Sequence, residues 1–423
     1  MHPKPQPAPW TRRDFAAAVF MLANLAACDR VPGGFADSGA QIVLQASDVH
    51  VLATSDSIAT VEDLEVLRDG TVWLLNSAEP FFVGFDRDGN VIQAHGRLGG
   101  GPEEFSAPSG FIVGGIDGQA WVFDRQRHMM VEVSRPDSTR LEIPLPQDAI
   151  PVASLVPGIR LGWSNVVRTA RLGDELILPR RSNPPEAGVR SLWLAAWTAD
   201  IVAMEPETDS VRNVIALAET LGDPTPHFDL TDAFLPFPLW FRLWSVCSGT
   251  EIRVYDRLRN EVRKFTRDGV ELEALALPPA RHGMVTAGQY GRALFHLALI
   301  EAAPVVPSSG KIDASPADSA RIMDGLMSRL KAPPDQLANL LPRYLDLRCD
   351  ENGTLWMQPF DIDMGGLEGG PVWLRITSDG ETNEVRVPDG FDPYRFTSER
   401  IWGVQRNELD VASVAWIAVP RAR

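Results

Sequence analysis

One short pattern recurs along the 423-residue chain and limits what the chain can fold into. It is a turn that ends in glycine, one small or polar residue, and then an apolar strand that often carries tryptophan. The clearest copies are DGTVWL from Asp69, DGQAWV from Asp117 and NGTLWM from Asn352. Weaker copies begin near Gly173, Gly249 and Ile401. Copies about 50 residues apart are typical of a fold built from one repeated unit.

A second turn follows several of these copies. Asp-Gly pairs occur at residues 88–89, 268–269 and 379–380, each between two runs of apolar and polar residues. Asp-Gly supplies the positive φ angles that tight hairpins need. Two hairpins in each unit predict a four-stranded antiparallel meander.

Six such units predict an all-β fold, a six-bladed β-propeller of four-stranded blades over residues 41–420. The early segment 41–52 is free to complete the last blade and close the ring. Residues 285–345 interrupt the pattern: Ser315 and Pro316 resemble a helix start, and apolar residues follow at helical spacing. We therefore expect a helical insertion between blades four and five.

The first 28 residues have the sequence pattern of a signal peptide. Basic residues, including Arg12 and Arg13, precede an apolar run over 15–27 that is too short to span a bilayer. The run ends in LAAC, which resembles a bacterial lipobox with Cys28 as the acylated residue, and TRRDF resembles a twin-arginine export signal. These features predict a lipoprotein of the bacterial cell envelope, facing the periplasm or the cell surface, with residues 29–40 as a tether. The alternative is a buried N-terminal helix with an incidental cysteine.

The net charge and the cysteine content bear on the ligands and on the compartment of the protein. A net charge of -16 excludes a nucleic-acid groove, which needs a basic footprint. If Cys28 carries lipid, Cys247 and Cys349 remain. They can pair in an oxidising compartment, or stay as two small buried apolar residues. We expect a monomer.

Two segments resemble known families. Residues 96–110, with FSAP at 105–108 and a strand ending in Asp124, resemble the NHL-type repeat; VYD, ending in Asp256, repeats that strand end. The run 401–411 is similar to the closing blade of the six-bladed β-propeller lipoproteins of soil bacteria. The resemblance implies a fold and an envelope location rather than a reaction.

Common catalytic motifs are absent from the sequence: it has no G-x-S-x-G elbow, no H-E-x-x-H and no phosphate-binding P-loop. Polar residues in the connections between blades are the remaining candidates, because such connections converge on one face where ligands usually bind. The candidates are Arg97, Glu103, Glu104, Asp124, Arg125, Asp256 and Arg257. In the alternative interpretation, the aspartates bond backbone amides of neighbouring turns and the glutamates are solvated surface.

The leading functional prediction is a binding or scaffolding module for a protein, glycan or small ligand, held at the membrane by the N-terminal lipid. The alternative is a periplasmic lactonase-like hydrolase or lyase that acts on sugars, because related six-bladed propellers place metal-binding side chains around the axis. No cofactor is identified from the sequence. A divalent metal such as calcium in the central channel stays open as part of this alternative.

Overall fold

The structure is a computed structural model. The residues that it describes are 41–58, 60–101, 104–106, 108–113, 119–124, 126–134, 142–146, 170–181, 199–206, 208, 210–217, 243–257, 259–278, 343–359, 370–407, 409 and 411–420. The predicted signal peptide and tether lie outside these residues, as does the predicted insertion up to residue 342. Its last two residues, Tyr344 and Leu345, belong to a β-strand instead of a helix.

Six four-stranded units make up the fold. Two short strands come first, β1 (Gln41–Val43) and β2 (Val49–Ala53). Blade 1 contains β3 (Val61–Val66), β4 (Val72–Asn76), β5 (Phe82–Phe85) and β6 (Val91–His95). A two-stranded parallel pair follows, β7 (Arg97–Leu98) and β8 (Glu104–Phe105). Blade 2 contains β9 (Pro108–Val113), β10 (Ala120–Asp124), β11 (Met129–Glu132) and β12 (Glu142–Pro144). Blade 3 contains β13 (Ala170–Leu172), β14 (Glu175–Arg181), β15 (Ala199–Glu205) and β16 (Ser210–Ile215).

The second half of the chain repeats the same unit. Blade 4 contains β17 (Trp244–Cys247), β18 (Glu251–Asp256), β19 (Glu261–Thr266) and β20 (Glu271–Ala276). Blade 5 contains β21 (Tyr344–Cys349), β22 (Leu355–Pro359), β23 (Val372–Ile376) and β24 (Thr382–Arg386). Blade 6 contains β25 (Phe391–Phe396), β26 (Arg400–Arg406) and β27 (Ala412–Ala418), together with β2. The six-bladed, four-stranded prediction is confirmed.

Within each blade the four strands pair antiparallel. The first strand lies nearest the central axis and the fourth lies at the outer edge. The first strands contact one another around the axis in the order β3, β9, β13, β17 and β21, and β25 contacts β3. Side chains of the first strands therefore line the central channel.

Ring closure uses the N-terminal segment in two separate ways. β2 pairs antiparallel with β27 and supplies the outermost strand of blade 6, as predicted. β1, by contrast, pairs in parallel with β24 at the outer edge of blade 5. The predicted closing segment 41–52 is thus two strands on two blades, separated by a short 3-10 turn at Ala46–Asp48.

Apolar side chains from facing blades form one cluster at each of the six blade junctions. The tryptophans of the repeated pattern occupy these layers, because each lies on the second strand of its blade and is almost fully buried. They are Trp73, Trp121, Trp356 and Trp402. A buried aromatic ring supplies more contact area than any aliphatic side chain, which explains why tryptophan recurs in the pattern.

The Asp-Gly hairpins have a second role besides the turn. Gly89 and Gly269 have φ angles of 84° and 81°, and a Cβ atom at either would lie 2.1 Å from the carbonyl oxygen of Leu52 or Val214. Both of those carbonyls belong to the outermost strand of the preceding blade. Glycine is therefore required at these positions both for the left-handed backbone and for close packing between blades.

The two faces of the propeller differ in the length of chain they carry. We call the face where first strands begin the connection face, and the opposite one the turn face. The long links that begin and end at the connection face are residues 145–169, 182–198, 216–243, 277–343 and 360–371. The longest link on the turn face is 133–141. Nearly all of the long links between strands are thus attached to one face.

Candidate functional site

The predicted binding residues that the structure describes lie at the connection face, but on different blades. Arg97 and Glu104 lie between blades 1 and 2, Asp124 ends β10, and Asp256 and Arg257 lie at the end of β18. Glu103 and Arg125 lie outside the described residues, as do Cys28, Arg12 and Arg13. Sequence reasoning therefore identified a common face rather than one site.

The glycine-rich loop of residues 96–101 holds a carboxylate of its own. The backbone amide of Gly101 donates to Oε2 of Glu104 at 2.7 Å, and Nε of Arg97 lies 3.0 Å from Oε1. The Gly101 amide, with help from Arg97, lowers the pKa of Glu104. The anion that this loop binds is consequently the side chain of Glu104.

Asp124 and Asp256 stabilise turns. Asp124 is fully buried, and its Oδ2 accepts a hydrogen bond from the Ser106 amide at 2.9 Å. Asp256 accepts from the amide of Arg259 at 3.2 Å and from its Nη1 at 3.1 Å. These contacts support the alternative interpretation, in which the strand-end aspartates bond neighbouring backbone amides.

Arg257 belongs to a different environment, which we call the tyrosine–arginine cluster: Tyr255, Arg257, Arg343 and Tyr344. The rings of Tyr255 and Tyr344 meet edge to face with centroids 5.1 Å apart, and so join blade 4 to blade 5. Burial lowers the pKa of Arg257 to about 10, with Tyr255 opposing the shift and the nearby Arg343 guanidinium adding to it. At neutral pH the Arg257 guanidinium still carries a positive charge.

The two phenols of this cluster are neutral. Burial raises the pKa of Tyr255 and of Tyr344 well above the usual range for tyrosine. The hydroxyl of Tyr255 donates to Oδ1 of Asn260 at 3.5 Å, and Nδ2 of Asn260 donates to the carbonyl of Pro278 at 3.1 Å. The cluster thus lies where the chain leaves blade 4 and returns to blade 5.

Sequence reasoning named Arg257 but missed the other three members. Arg343 and Tyr344 lie 86 positions or more beyond Arg257 in the chain, and no local motif connects them. The only available signal was the RY pair at the start of a first strand. Such a pair is placed near the channel mouth once the blade boundaries are known.

A second group, which we call the axial charge cluster, lies on the first strands of blades 1, 5 and 6. Its members are Asp63, Glu65, Asp346, Arg348 and Arg395. Nε of Arg348 lies 2.7 Å from Oδ2 of Asp346, and Nε of Arg395 lies 2.5 Å from Oε2 of Glu65. Burial raises the pKa of Glu65, although Arg395 opposes this shift.

The axial acids do not fit a calcium ion. Calcium takes six to eight oxygen ligands, whereas Glu65 and Asp346 already face guanidinium groups. Among the residues that the structure describes, no group of three or more His, Cys, Asp or Glu side chains is arranged to hold a metal. Two of the axial acids, Glu65 and Asp346, are instead paired with arginine.

A disulfide links blades 4 and 5 at the turn face. Cys247 and Cys349, the last residues of β17 and β21, have Cα atoms 5.1 Å apart and are joined in the structure. The link closes a segment of 102 residues that contains the longest connection in the chain. Blades 4 and 5 are therefore held together independently of residues 277–343.

No protein-family model and no curated protein matches the sequence. Among solved structures, the chain is similar to a member of the DUF4221 family from Bacteroides vulgatus, at 10% identity over 88% of this chain and 98% of that one (TM-score 0.46). It is also similar to a gluconolactonase from Xanthomonas campestris (12% identity, 93% and 99% coverage, TM-score 0.40) and to the calcium-binding protein regucalcin from Agrobacterium tumefaciens (13%, 90% and 96%, 0.37). Values this low transfer no activity to this chain.

Proposed function

We propose that the protein is an exported, lipid-anchored β-propeller that binds a protein, glycan or small ligand at its connection face. The observation that carries this proposal is the unequal distribution of chain between the two faces. Binding residues are generally found on connections that a rigid scaffold positions, and here almost all long connections leave from one face.

The turn face offers less for a ligand, because several of its charged groups are engaged within the protein. Nη1 of Arg253 donates to the carbonyl of Gly353 at 2.8 Å, between blades 4 and 5. Glu175 pairs with Arg212 of its own blade at 2.7 Å and with Arg267 of blade 4 at 2.6 Å. These contacts favour a structural role for this face.

The proposed anchor sets the orientation. β1 runs parallel to β24, which runs toward the connection face, so the chain enters β1 from the turn-face side. A lipid on Cys28 would then hold the turn face toward the membrane and leave the connection face accessible. In the described part of the chain, no helix has the length and apolar character needed to cross a membrane.

The anchor is tested by metabolic labelling with a fatty-acid analogue. Labelled wild type and unlabelled Cys28→Ala are expected. Replacing both Arg12 and Arg13 by lysine should block export if the twin-arginine route is used, since that route reads the arginine pair. Equal labelling of wild type and Cys28→Ala would contradict the anchor.

The binding face is tested by blocking each face with polyethylene glycol on a single new cysteine. Leu409→Cys modifies the connection face and Asp268→Cys the turn face; both residues are largely exposed. A panel of neutral sugars, uronates, peptides and inorganic phosphate is scored by the shift in Tm. Stabilisation should be lost in modified Leu409→Cys and kept in modified Asp268→Cys; the reverse pattern contradicts the proposal. Calcium-dependent hydrolysis of a sugar lactone would favour the enzyme alternative.

A further inference from the structure

In blade 5 the tryptophan of the repeated pattern lies between two arginines. Trp356 is opposite Arg348 on the strand before it and opposite Arg375 on the strand after it. Tryptophans at the same position of blades 1, 2 and 6 have at most one arginine as a cross-strand neighbour. Those neighbours are Glu65 and Gly84 for Trp73, Ile112 and Glu132 for Trp121, and Arg395 and Trp416 for Trp402. The repeated pattern therefore does not account for the two arginines of blade 5.

Four side chains meet on this side of blade 5, and we call them the donor cluster: Arg348, Trp356, Trp373 and Arg375. The ring centroids of Trp356 and Trp373 lie 4.7 Å and 4.6 Å from that of Phe396, on the first strand of blade 6. Cζ of Arg348 lies 5.9 Å from the Trp373 centroid, and Cζ of Arg375 lies 5.8 Å from the Trp356 centroid. The donor cluster is thus enclosed between blades 5 and 6, and three of its members lie one residue from the turn-face ends of their strands.

Each member of the donor cluster has a buried N–H group without a hydrogen-bond acceptor. The atoms are Nη1 of Arg348, Nε1 of Trp356, Nε1 of Trp373 and Nε of Arg375, and none of the residues that the structure describes accepts from them. Both tryptophans are at most 2% exposed, and the Arg348 side chain is 4% exposed. Folded proteins rarely leave one buried donor without a partner, because the loss of its hydrogen bonds to water is then not compensated. Four such donors side by side indicate a shared acceptor.

The positive charge of the donor cluster is only partly balanced. Nε of Arg348 lies 2.7 Å from Oδ2 of Asp346, and this pair does not involve Nη1. Nη1 of Arg375 donates to the carbonyl of Pro420 at 2.8 Å, and Arg375 forms no salt bridge within the described part of the chain. The acid that interacts with Arg375 is Asp379, which lies in the exposed hairpin turn after β23. Two guanidiniums and one carboxylate therefore lie between the blades here.

We infer that the donor cluster binds a monatomic anion, chloride, between blades 5 and 6. An oxyanion is matched best by the two-pronged fork of a guanidinium. Here both forks are partly engaged, by Asp346 and by Pro420, and each of the four side chains contributes one N–H group. Single donors from several side chains suit a spherical ion that accepts from all of them, and the excess positive charge compensates the burial of an anion. This site is separate from the connection face, so the inference does not rest on the proposed function.

The test is thermal unfolding of the full-length protein in mixtures of sodium chloride and sodium methanesulfonate at constant ionic strength. The wild-type Tm should rise saturably as chloride replaces methanesulfonate. Trp356→Phe keeps an aromatic ring against Phe396 and removes one donor. Its apparent dissociation constant for chloride should rise about tenfold, because a hydrogen bond to a charged group is lost. Arg375→Gln, which also removes a charge, should raise this constant at least as much.

Two matched controls separate the loss of the anion from a loss of packing. Trp73→Phe makes the same change at the same position of blade 1, between Glu65 and Gly84. Arg386→Gln removes an arginine from the fourth strand of blade 5, where its Nη1 donates to the carbonyl of Gly370 at 3.4 Å. In both controls the dissociation constant for chloride should stay within about twofold of the wild-type value, even if the Tm is lower.

Crystals of the wild type grown in sodium bromide locate the ion without any substitution. The anomalous signal of bromide should give a peak between blades 5 and 6, within hydrogen-bond distance of the donor cluster. The inference is overturned by a Tm that does not depend on chloride, by equal dissociation constants in wild type, Trp356→Phe and Arg375→Gln, or by bromide peaks that all lie elsewhere. None of these results affects the proposed function, because its labelling and blocking experiments do not involve this site.

Discussion

Two regions of the ring are held together by different kinds of contact. Residues 277–343, between blades 4 and 5, form the longest connection in the chain. A disulfide joins the first strands of these two blades. In blade 6 the ring closes where β2, from the start of the propeller, pairs with β27, near its end. No covalent bond crosses this second boundary, which we call the seam.

The seam is held by contacts that come from distant parts of the sequence. Trp416 stacks on His50 with centroids 4.2 Å apart, and the guanidinium of Arg400 lies 4.1 Å from the Trp416 ring centroid. Near the axis, Arg395 of blade 6 pairs with Glu65 of blade 1. The hydroxyl of Tyr394 donates to the carbonyl of Val61 at 3.1 Å.

The difference shows how a long connection affects the stability of the junction that it spans. A long flexible segment does little to keep its two ends together, and a cross-link that closes it removes chain entropy from the unfolded state. At the seam, β2 continues into blade 1 through the short link 54–60, so the pairing of β2 with β27 holds blade 1 beside blade 6 without a cross-link. We therefore expect the junction of blades 4 and 5 to depend on one bond, and the seam on several weaker contacts.

The largest expected effect is the removal of the disulfide. Replacing both Cys247 and Cys349 by alanine should lower the free energy of unfolding by about 4 to 5 kcal/mol, as expected for a closed loop of this length. Denaturant titration measures the loss. Adding a reductant should destabilise the wild type by a similar amount and leave the double variant unchanged. A loss below about 1 kcal/mol would mean that the other contacts of this junction are sufficient.

The next largest effect is expected at the axial pair of the seam. Arg395→Met leaves the Glu65 carboxylate buried without its partner, which should cost about 3 to 5 kcal/mol. The double variant Glu65→Gln with Arg395→Met removes both charges and should recover most of that loss. If the single and double variants were equally unstable, the packing of Arg395, rather than its charge, would be what holds the seam.

The outer contact of the seam should contribute less. His50→Ala removes one side of the stack on Trp416, and we expect a loss of about 1 kcal/mol. Val51→Ala is the matched control, because Val51 is the next residue of β2 and is 56% exposed. Its loss should be smaller than that of His50→Ala. Equal losses would show that β2 is held by backbone pairing alone.

The blades could be predicted from the sequence because their signals are local. A turn such as Asp69-Gly70 is read from neighbouring residues, and the strand that follows has an alternating pattern. The parallel pairing of β1 with β24 could not be predicted. It involves three residues paired with a strand more than 300 positions away, and nothing in their side chains specifies that partner.

The candidate site was predicted less completely, for the same reason. Loop membership placed Arg97, Glu104 and Arg257 on one face, because connections of one type share a face in any propeller. Whether a polar residue is engaged depends on contacts across blades, as with Glu65 and Arg395, which are 330 positions apart. Such pairs are determined by the closed ring and leave no local pattern.

The smallest expected effect concerns the pH dependence of the seam. Burial raises the pKa of Glu65 above its ordinary value of 4.5, so the folded protein holds this proton more tightly than the unfolded chain does. The stabilisation from protonated Glu65 is therefore complete below pH 4.5 and is lost as the pH rises through the folded-state pKa. Subtracting the stability of Glu65→Gln from that of wild type isolates this contribution from the other carboxylates. The difference should decrease with rising pH; an increase would show that pairing with Arg395 outweighs burial.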